Sequence, residues 1–196
     1  FKNIFNLYSD KIYGLTNSFF TVTSIMTTTG FVSADFGAWP LFSRMLIVLL
    51  MFIGGCAGST AGGLKVSRVI ILIKRGFNQI RESQNPKRIT INRLDNKRVD
   101  EDTEVSVSKY FALFIIFLFI VAIDVDDFQT AFTAVATTIN NVGPGIGAFG
   151  PLTSFAEMSY LSKAVLTLAM LLGRLEIFPM LLLFNPRTYR ELKRSF

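Results

Sequence analysis

Two short segments carry the residue types that could replace the water around a cation: TTTGF, Thr27 to Phe31, and NNVGPG, Asn140 to Gly145. A potassium ion in an apolar medium needs its lost water replaced by oxygens, and main-chain carbonyls supply them without a full charge. An extended loop aims successive carbonyls at one axis only if a residue can take an unusual backbone conformation. Gly30 and Gly143 can, since positive φ costs glycine little. The hydroxyls of Thr27, Thr28 and Thr29 and the amides of Asn140 and Asn141 offer further oxygens or ties to neighbouring segments. With Phe31, Val142 and Pro144 they make up two candidate ion-filter loops. A closed ring of carbonyls requires about four loops, so two more are expected in a missing half.

A glycine run, GGCAGSTAGG from Gly54 to Gly63, invites a different chemistry. An apolar run followed by GSTAGGLKVS resembles a strand, a phosphate loop and a helix. That loop needs Gly, four residues, Gly, then Lys and a hydroxyl residue. From Gly58 the second Gly falls at Gly63, but Leu64 follows, and Lys65 and Ser67 are misplaced. Nucleotide binding is therefore set aside. Small residues also permit close helix packing in membranes. Yet Gly54, Gly55, Gly58, Gly62 and Gly63, with Ser59 and Thr60, should unwind a helix locally.

Arg174 lies inside an apolar segment, where a charge is costly and faces a bundle interior or a water path. Glu176 or Glu157 would make it a structural ion pair, although Glu176, two residues on, does not share its helical face. An intramembrane enzyme built on Arg174 and Glu176 lacks a nucleophile–base pair. The chain has no His, the commonest general base and metal ligand. The single Cys56 excludes an internal disulfide framework. The expectation is no enzyme, no covalent cofactor, and potassium as the transported ion at the filter carbonyls.

The elements that must position these residues follow from charge and hydropathy. Arg44 is the only charged residue between Leu41 and Lys65, and none occurs from Tyr110 to Ile123 or between Lys163 and Arg174. Such blocks read as membrane-embedded. Thr16 to Met26 and Phe128 to Ile139 are Phe/Thr-rich and too short to span; each ends in a candidate filter loop. Trp39 fits a membrane interface and Pro40 the first turn of a helix. Leu41 to Ile73 is one apolar region interrupted by the glycine run, and Tyr160 to Phe184 is a second long one. A shift of 113 residues sets Phe19 on Phe132, Val22 on Val135 and Gly30 on Gly143, with Pro40 and Pro151 two residues out of step. The order is span, short re-entrant helix, Gly-centred loop, span, and ion sites lie at repeat interfaces in transport proteins. Irregular backbone at membrane depth is tolerated only beside protein or water.

The net charge of +6 is unevenly placed. Lys65 to Lys109 carries eleven basic residues against six acidic, and Arg187 to Phe196 four against one, whereas Tyr110 to Ser162 has only Asp124, Asp126, Asp127 and Glu157. This is a positive-inside asymmetry rather than a nucleic-acid footprint. It puts the Arg75–Glu104 connector, read as polar without apolar period, and the tail in the cytoplasm, with Asp35 and Asp124 to Asp127 outside. Phe1, with no Met and no signal-peptide pattern, reads as an internal start of a fragment. The divisions expected are 1–76, a third pore-loop repeat lacking its first membrane helix; 77–104, a cytoplasmic linker; 105–186, a fourth repeat; and 187–196, a cytoplasmic tail. Only 14 uncharged residues separate Lys109 from Asp124. Starting at Val105 with Lys109 snorkelling recovers 19, so a thin or tilted span is expected there.

SIMTTTGF, GGCAGSTAGGLK, ATTINNVGPG and LLGRLEIFP resemble, in this order, the third and fourth repeats of the Trk/Ktr/HKT superfamily of potassium transporters. The resemblance covers about Asn17 to Pro186. It implies an all-α integral membrane fold of repeated membrane helix–re-entrant pore helix and loop–membrane helix units, potassium-channel-like, four around one pore. It further implies potassium uptake across the cell (inner) membrane by a multi-pass homodimer, with a cytoplasmic nucleotide-binding regulatory ring (TrkA/KtrA-like) as partner. In the family, Gly at the filter positions goes with potassium preference, and Gly30 and Gly143 match. The glycine run corresponds to an intramembrane gate under the filter, with Gly54, Gly55, Gly58, Ser59, Thr60, Gly62 and Gly63 facing Arg174. Rival expectations are a sodium-coupled or sodium-selective member of the same family and a structural membrane subunit.

Overall fold

The computed structural model describes residues 4, 7, 8, 10–55, 59, 62–84, 93, 94, 97, 98 and 101–174. Cys56, Gly58, Thr60, Glu176 and the 187–196 tail lie outside the described residues, as does most of the connector beyond Gln84. Among the described residues there are six α-helices: α1 Lys11–Met26, α2 Leu41–Phe52, α3 Val66–Gln84, α4 Glu101–Val121, α5 Phe128–Ile139 and α6 Tyr160–Arg174. A two-residue antiparallel pair, β1 Arg93–Leu94 with β2 Lys97–Arg98, joins α3 to α4.

Each short helix starts at an acidic cap and stops where the sequence turns Thr- or Asn-rich. The Asp10 carboxylate accepts from the Ile12 N–H (2.9 Å), and Asp127 accepts from the N–H groups of Gln129 and Thr130. Carboxylates there satisfy orphan donors and complement the helix dipole. Helix α1 is inverted relative to a soluble helix. Its buried face holds Gly14, Asn17, Thr21 and Ser24, whereas Ile12 (75% exposed) and Phe19 (76% exposed) point outward. Exposed Phe119, Leu41 and Leu161 repeat the pattern on α4, α2 and α6. Apolar surface of this extent calls for a lipid or protein covering.

Helix α5 is the hub. Every residue from Thr133 to Asn140 is buried, packed by Tyr110, Phe114 and Val121 of α4 and by Leu166, Ala169 and Leu172 of α6. A second cluster joins Ile25, Phe36, Trp39, Ile47 and Met51 to Val142 and Ile146. The segment after α5 is thus packed into the cluster formed by α1, α2 and the turn between them.

The glycine run ends α2 at Phe52 and α3 restarts at Val66, as the composition requires. Helix α3 then runs on to Gln84, so the first part of the supposed polar connector is helical. Ile73, Phe77 and Ile80 recur there at four- and three-residue spacing, all exposed, an apolar period that the reading of this connector passed over. Helix α4 begins at Glu101, four residues before Val105. Among the described residues no helix is both long and apolar enough to cross a membrane. Helix α2 has 12 residues, α6 is described over 15, and α4 opens on the charged Glu101, Asp102 and Glu104. An apolar cavity of about 810 Å³, lined by Arg44, Phe52, Phe111 and Phe132 among others, lies between α2, α4 and α5. Its walls are almost entirely hydrocarbon, so it offers a cation no path.

Candidate functional site

The two candidate filter loops have the same backbone design. The Thr27 N–H donates to the Thr23 carbonyl (3.0 Å), Thr28 to Ile25 (3.1 Å) and Thr29 to Ser24 (2.9 Å). In the second loop Asn140 donates to Ala136 (3.2 Å), Asn141 to Thr138 (3.1 Å) and Val142 to Thr137 (2.9 Å). Each bond maps onto its counterpart at a shift of 113 residues, the register that the Phe19–Phe132 and Gly30–Gly143 matches give. Thr27 and Asn140 are right-handed caps with φ of −83° and −90°. Thr28 (54°) and Asn141 (56°) then turn left-handed, as do Gly30 (76°) and Gly143 (112°) after one intervening residue. Thr27–Phe31 and Asn140–Pro144 are therefore a turn followed by irregular backbone, continuous with neither helix.

This alternation has a chemical consequence. A left-handed residue between right-handed or extended ones rotates the following peptide plane, so successive carbonyls can face one side. A β-branched residue at positive φ is uncommon, and strained backbone of this kind clusters at functional sites. In the first loop the Ser24 hydroxyl donates to the Phe31 carbonyl (2.7 Å) and the Ser33 hydroxyl to Asn17 Oδ1 (2.8 Å). In the second the Thr133 hydroxyl accepts from the Ile146 N–H (3.1 Å), and Thr130 Oγ1 from the Ala148 N–H (3.2 Å). Ser24 and Asn17 of α1 and Thr133 and Thr130 of α5 therefore hold the returning segments.

The loops touch. A Cβ placed on Gly30 would overlap the Val142 carbonyl and lie 3.3 Å from Pro144 Cδ. Thr27, Thr29, Phe31 and Gly143 are exposed, which leaves one side of the pair open, while Val142 and Asn140 are buried. No basic residue occupies the last turn of α1 or α5, so the partially negative helix ends face the loops uncompensated.

The last two residues of the glycine run, Gly62 and Gly63, lie directly against the second loop. The neck of the run is closed by Gly54 N–H donating to the Leu64 carbonyl (2.9 Å) and Val66 N–H to Gly55 (3.3 Å). A Cβ on Gly62 would overlap the Asn140 main-chain carbonyl, and one on Gly63 (φ 77°) would lie 2.5 Å from Asn140 Oδ1. Gly54, Gly55, Ser59, Gly62 and Gly63 are described; the run's centre is not. Arg174 ends α6 as described, exposed, and among the described residues its guanidinium makes no hydrogen bond or ion pair. Its neighbour Gly173 makes the close approach instead: a Cβ there would overlap the Ile139 carbonyl and sit 2.9 Å from Asn141 Nδ2. Asn141 Nδ2 in turn donates to the Met170 carbonyl (3.1 Å), tying the loop to α6.

Three contributors escaped the sequence reading. Tyr110 donates its hydroxyl to Asn140 Oδ1 (2.7 Å), Gly173 sets the α6 approach, and Thr133 pins Ile146. Tyr110 and Gly173 act across about 30 residues of sequence, which no local pattern reveals. Outside this centre, Asp124 is held below the ordinary carboxylate range by the Ser159 N–H and hydroxyl, and Asp127 by the Thr130 hydroxyl and N–H. Among the described residues no group of three or more His, Cys, Asp or Glu side chains that could hold a metal ion occurs.

A family model described as TrkH, cation transport protein, matches residues 7–190. The Trk system potassium uptake protein TrkH of Salmonella typhimurium is 41% identical over 191 residues, 95% of this chain and 39% of that protein. The potassium uptake protein TrkG of Escherichia coli is 36% identical over 179 residues, covering 89% of this chain and 36% of that protein. The crystal structure of the potassium transporter TrkH from Vibrio parahaemolyticus superimposes with a TM-score of 0.81 at 33% identity, over 96% of this chain and 40% of that one. The chain thus spans about two fifths of the length of the curated relatives it matches.

Proposed function

The chain belongs to the TrkH family of cation transport proteins, and on that footing we propose that it forms the third and fourth pore-loop repeats of a potassium-uptake subunit. In this reading residues 1–76 and 105–186 are the repeats, 77–104 the cytoplasmic linker and 187–196 the cytoplasmic tail. The subunit is a multi-pass protein of the cell (inner) membrane, a homodimer, and is regulated by a cytoplasmic nucleotide-binding ring. Thr27 to Phe31 and Asn140 to Pro144 supply two of the four sides of a carbonyl filter. Gly54 to Gly63 is the gate beneath it, and Arg174 the charge that opposes a passing cation when the gate is shut.

One observation carries this reading: the two loops share a hydrogen-bond pattern and alternating left-handed residues in a single register, and meet at Gly30 and Val142. A fold that merely reversed the chain twice would not need the same strained backbone at both reversals. Filter carbonyls work by replacing hydration at matched cost, so no covalent step, cofactor or titrating base is required. The inverted amphipathicity of α1 supports a lipid or protein environment on its outer face.

The experiment is potassium uptake by the full-length subunit in cells lacking other potassium uptake, with sodium and rubidium substituted in turn. Uptake preferring potassium and rubidium over sodium is expected. Sodium uptake equal to potassium uptake would favour the sodium-selective alternative, and no ion flux with normal membrane insertion would favour a structural subunit.

A further inference from the structure

We infer that the apolar cavity between α2, α4 and α5 is a phospholipid site, taking an acyl chain against its aromatic inner wall and the anionic headgroup phosphate on Arg44. The inference uses neither the filter nor the gate; it requires only that the chain lie in a bilayer.

The cavity of about 810 Å³ falls within the range of about 300–1,000 Å³ that buries small ligands. Phe52 and Phe132 form its inner wall, their ring centroids 6.1 Å apart, and each packs edge-on against Phe114. The rim is different. Leu41, Met45, Leu49 and Phe128 also line the cavity, and each is more than half exposed. The cavity therefore opens on the apolar outer face of the helices, which calls for a covering. Its lining runs along α2 from Leu41 to Ile53, about 18 Å at the helical rise, a length suited to an extended acyl chain.

Arg44 decides what covers it. Among the described residues it is the only charged one lining the cavity, and it is the only charged residue of α2. Its Nε is buried without a hydrogen-bond partner, and among the described residues the guanidinium makes no hydrogen bond or ion pair. A buried donor in that state costs free energy until an acceptor reaches it. The start of α2 adds to the positive field, because Pro40 gives no side-chain cap and the first turn holds no acidic residue. Arg44 lies three residues beyond Leu41, about 4.5 Å along the axis, so the cation sits near one end of the groove. An apolar groove with an unpaired cation at its end complements a phospholipid. The chain covers the hydrocarbon, and the phosphate accepts two parallel N–H bonds from the guanidinium. An apolar partner helix would fill the groove and leave Arg44 unpaired. A choline headgroup would bring a second cation beside Arg44, so an anionic lipid is favoured over a zwitterionic one.

The test is lipid binding by the delipidated, detergent-purified full-length subunit, read by native mass spectrometry during titration with dioleoylphosphatidylglycerol or dioleoylphosphatidylcholine. The tightest binding step should prefer the phosphatidylglycerol. Arg44→Gln should weaken that step about tenfold, the size of a hydrogen bond to a charged group, and abolish the preference. Leu49→Trp, which fills the groove from its exposed rim, should weaken binding of both lipids. Glycerophosphoglycerol, the headgroup without chains, should not compete. Unchanged phosphatidylglycerol binding in either variant overturns the inference; joined to a lower melting temperature of lipid-free Arg44→Gln, it would mean that a carboxylate elsewhere in the subunit pairs with Arg44. Competition by the headgroup alone would mean an anion site without a lipid and overturns it too. Where Arg44→Gln fails to accumulate, Arg44→Lys, which keeps the charge but loses the paired donors, should bind phosphatidylglycerol several-fold more weakly, and equal binding overturns the headgroup contact. Potassium uptake is no part of this readout, so a failure here leaves the filter-and-gate reading standing.

Discussion

Gly30 in the first loop lies so close to the Val142 carbonyl in the second that no side chain fits between them, and its φ of 76° admits few residues other than glycine. Two constraints of different origin, steric and conformational, converge on one atom pair. Val142 is moreover buried in the cluster that holds Ile25 of α1 and Met51 of α2. Any change at Gly30 is therefore felt by the carbonyls of both loops.

Replacing Gly30 by Ser should weaken discrimination between potassium and sodium by about tenfold, equivalent to about 1.4 kcal/mol. The hydroxymethyl must displace the Val142 carbonyl, and the strained φ disfavours it independently. Competition uptake in the full-length protein measures this. Unchanged preference would remove Gly30 from the filter.

Two helix glycines should respond with opposite signs. At Gly173 a methyl meets the Ile139 carbonyl, so Gly173→Ala should destabilise by about 1–3 kcal/mol as overpacking does and lower uptake as well. At Gly76 in α3 nothing lies within 4 Å of a new Cβ. Gly76→Ala should stabilise by about 0.5–1 kcal/mol through helix propensity and leave uptake unaltered. Thermal unfolding of the detergent-purified protein separates them; equal shifts would mean that α6 does not press on the loop.

The likeness of the two loops was legible because its signals are local: a Thr-rich short helix, then a Gly at a fixed distance, twice. The glycine run was legible as a break for the same reason. The left-handed Thr28 was not, since a β-branched residue gives no sequence hint of positive φ and only the surrounding bonds impose it. Its partner Asn141 is of a type that tolerates such a turn, yet nothing in the sequence distinguishes it from Asn140. Tyr110 reads as one more aromatic in an apolar segment until the fold brings Asn140 to it. The continuation of α3 was not legible because Lys74, Arg75 and Arg81 interrupt the apolar spacing of Ile73, Phe77 and Ile80.

Asp127 should make stability fall in acid. Its carboxyl is held below the ordinary range by the Thr130 hydroxyl and N–H. A depressed folded value contributes stability that is complete above the unfolded value of about 4 and is lost as pH falls through the folded value. Asp127→Asn keeps an acceptor for the cap without the titration, so its melting temperature should depend less on pH below about 4. Parallel pH profiles for the two proteins would show that the cap carries no charge-dependent part. Solvent exposure keeps the effect small.

The last prediction joins Arg174 to the glycine run. Arg174 follows Gly173, which closely approaches Ile139 and Asn141 of the second loop. Gly62 and Gly63 reach the same loop through Asn140. The end of α6 and the pair Gly62 and Gly63 therefore both approach residues 139–141, and the guanidinium's five donors are expected to act on the run from there. Truncating Arg174 to Ala should remove both an anchor for the run and a positive charge opposing cation entry. Potassium flux should rise and, if the proposed cytoplasmic ring regulates it, depend less on that ring. Shortening the run should do the same, and the double change should add little, because two residues acting through one contact are not additive. Flux measured across the four proteins gives the coupling directly. Full additivity of the two effects on gating free energy would mean that Arg174 and the glycine run act on separate steps.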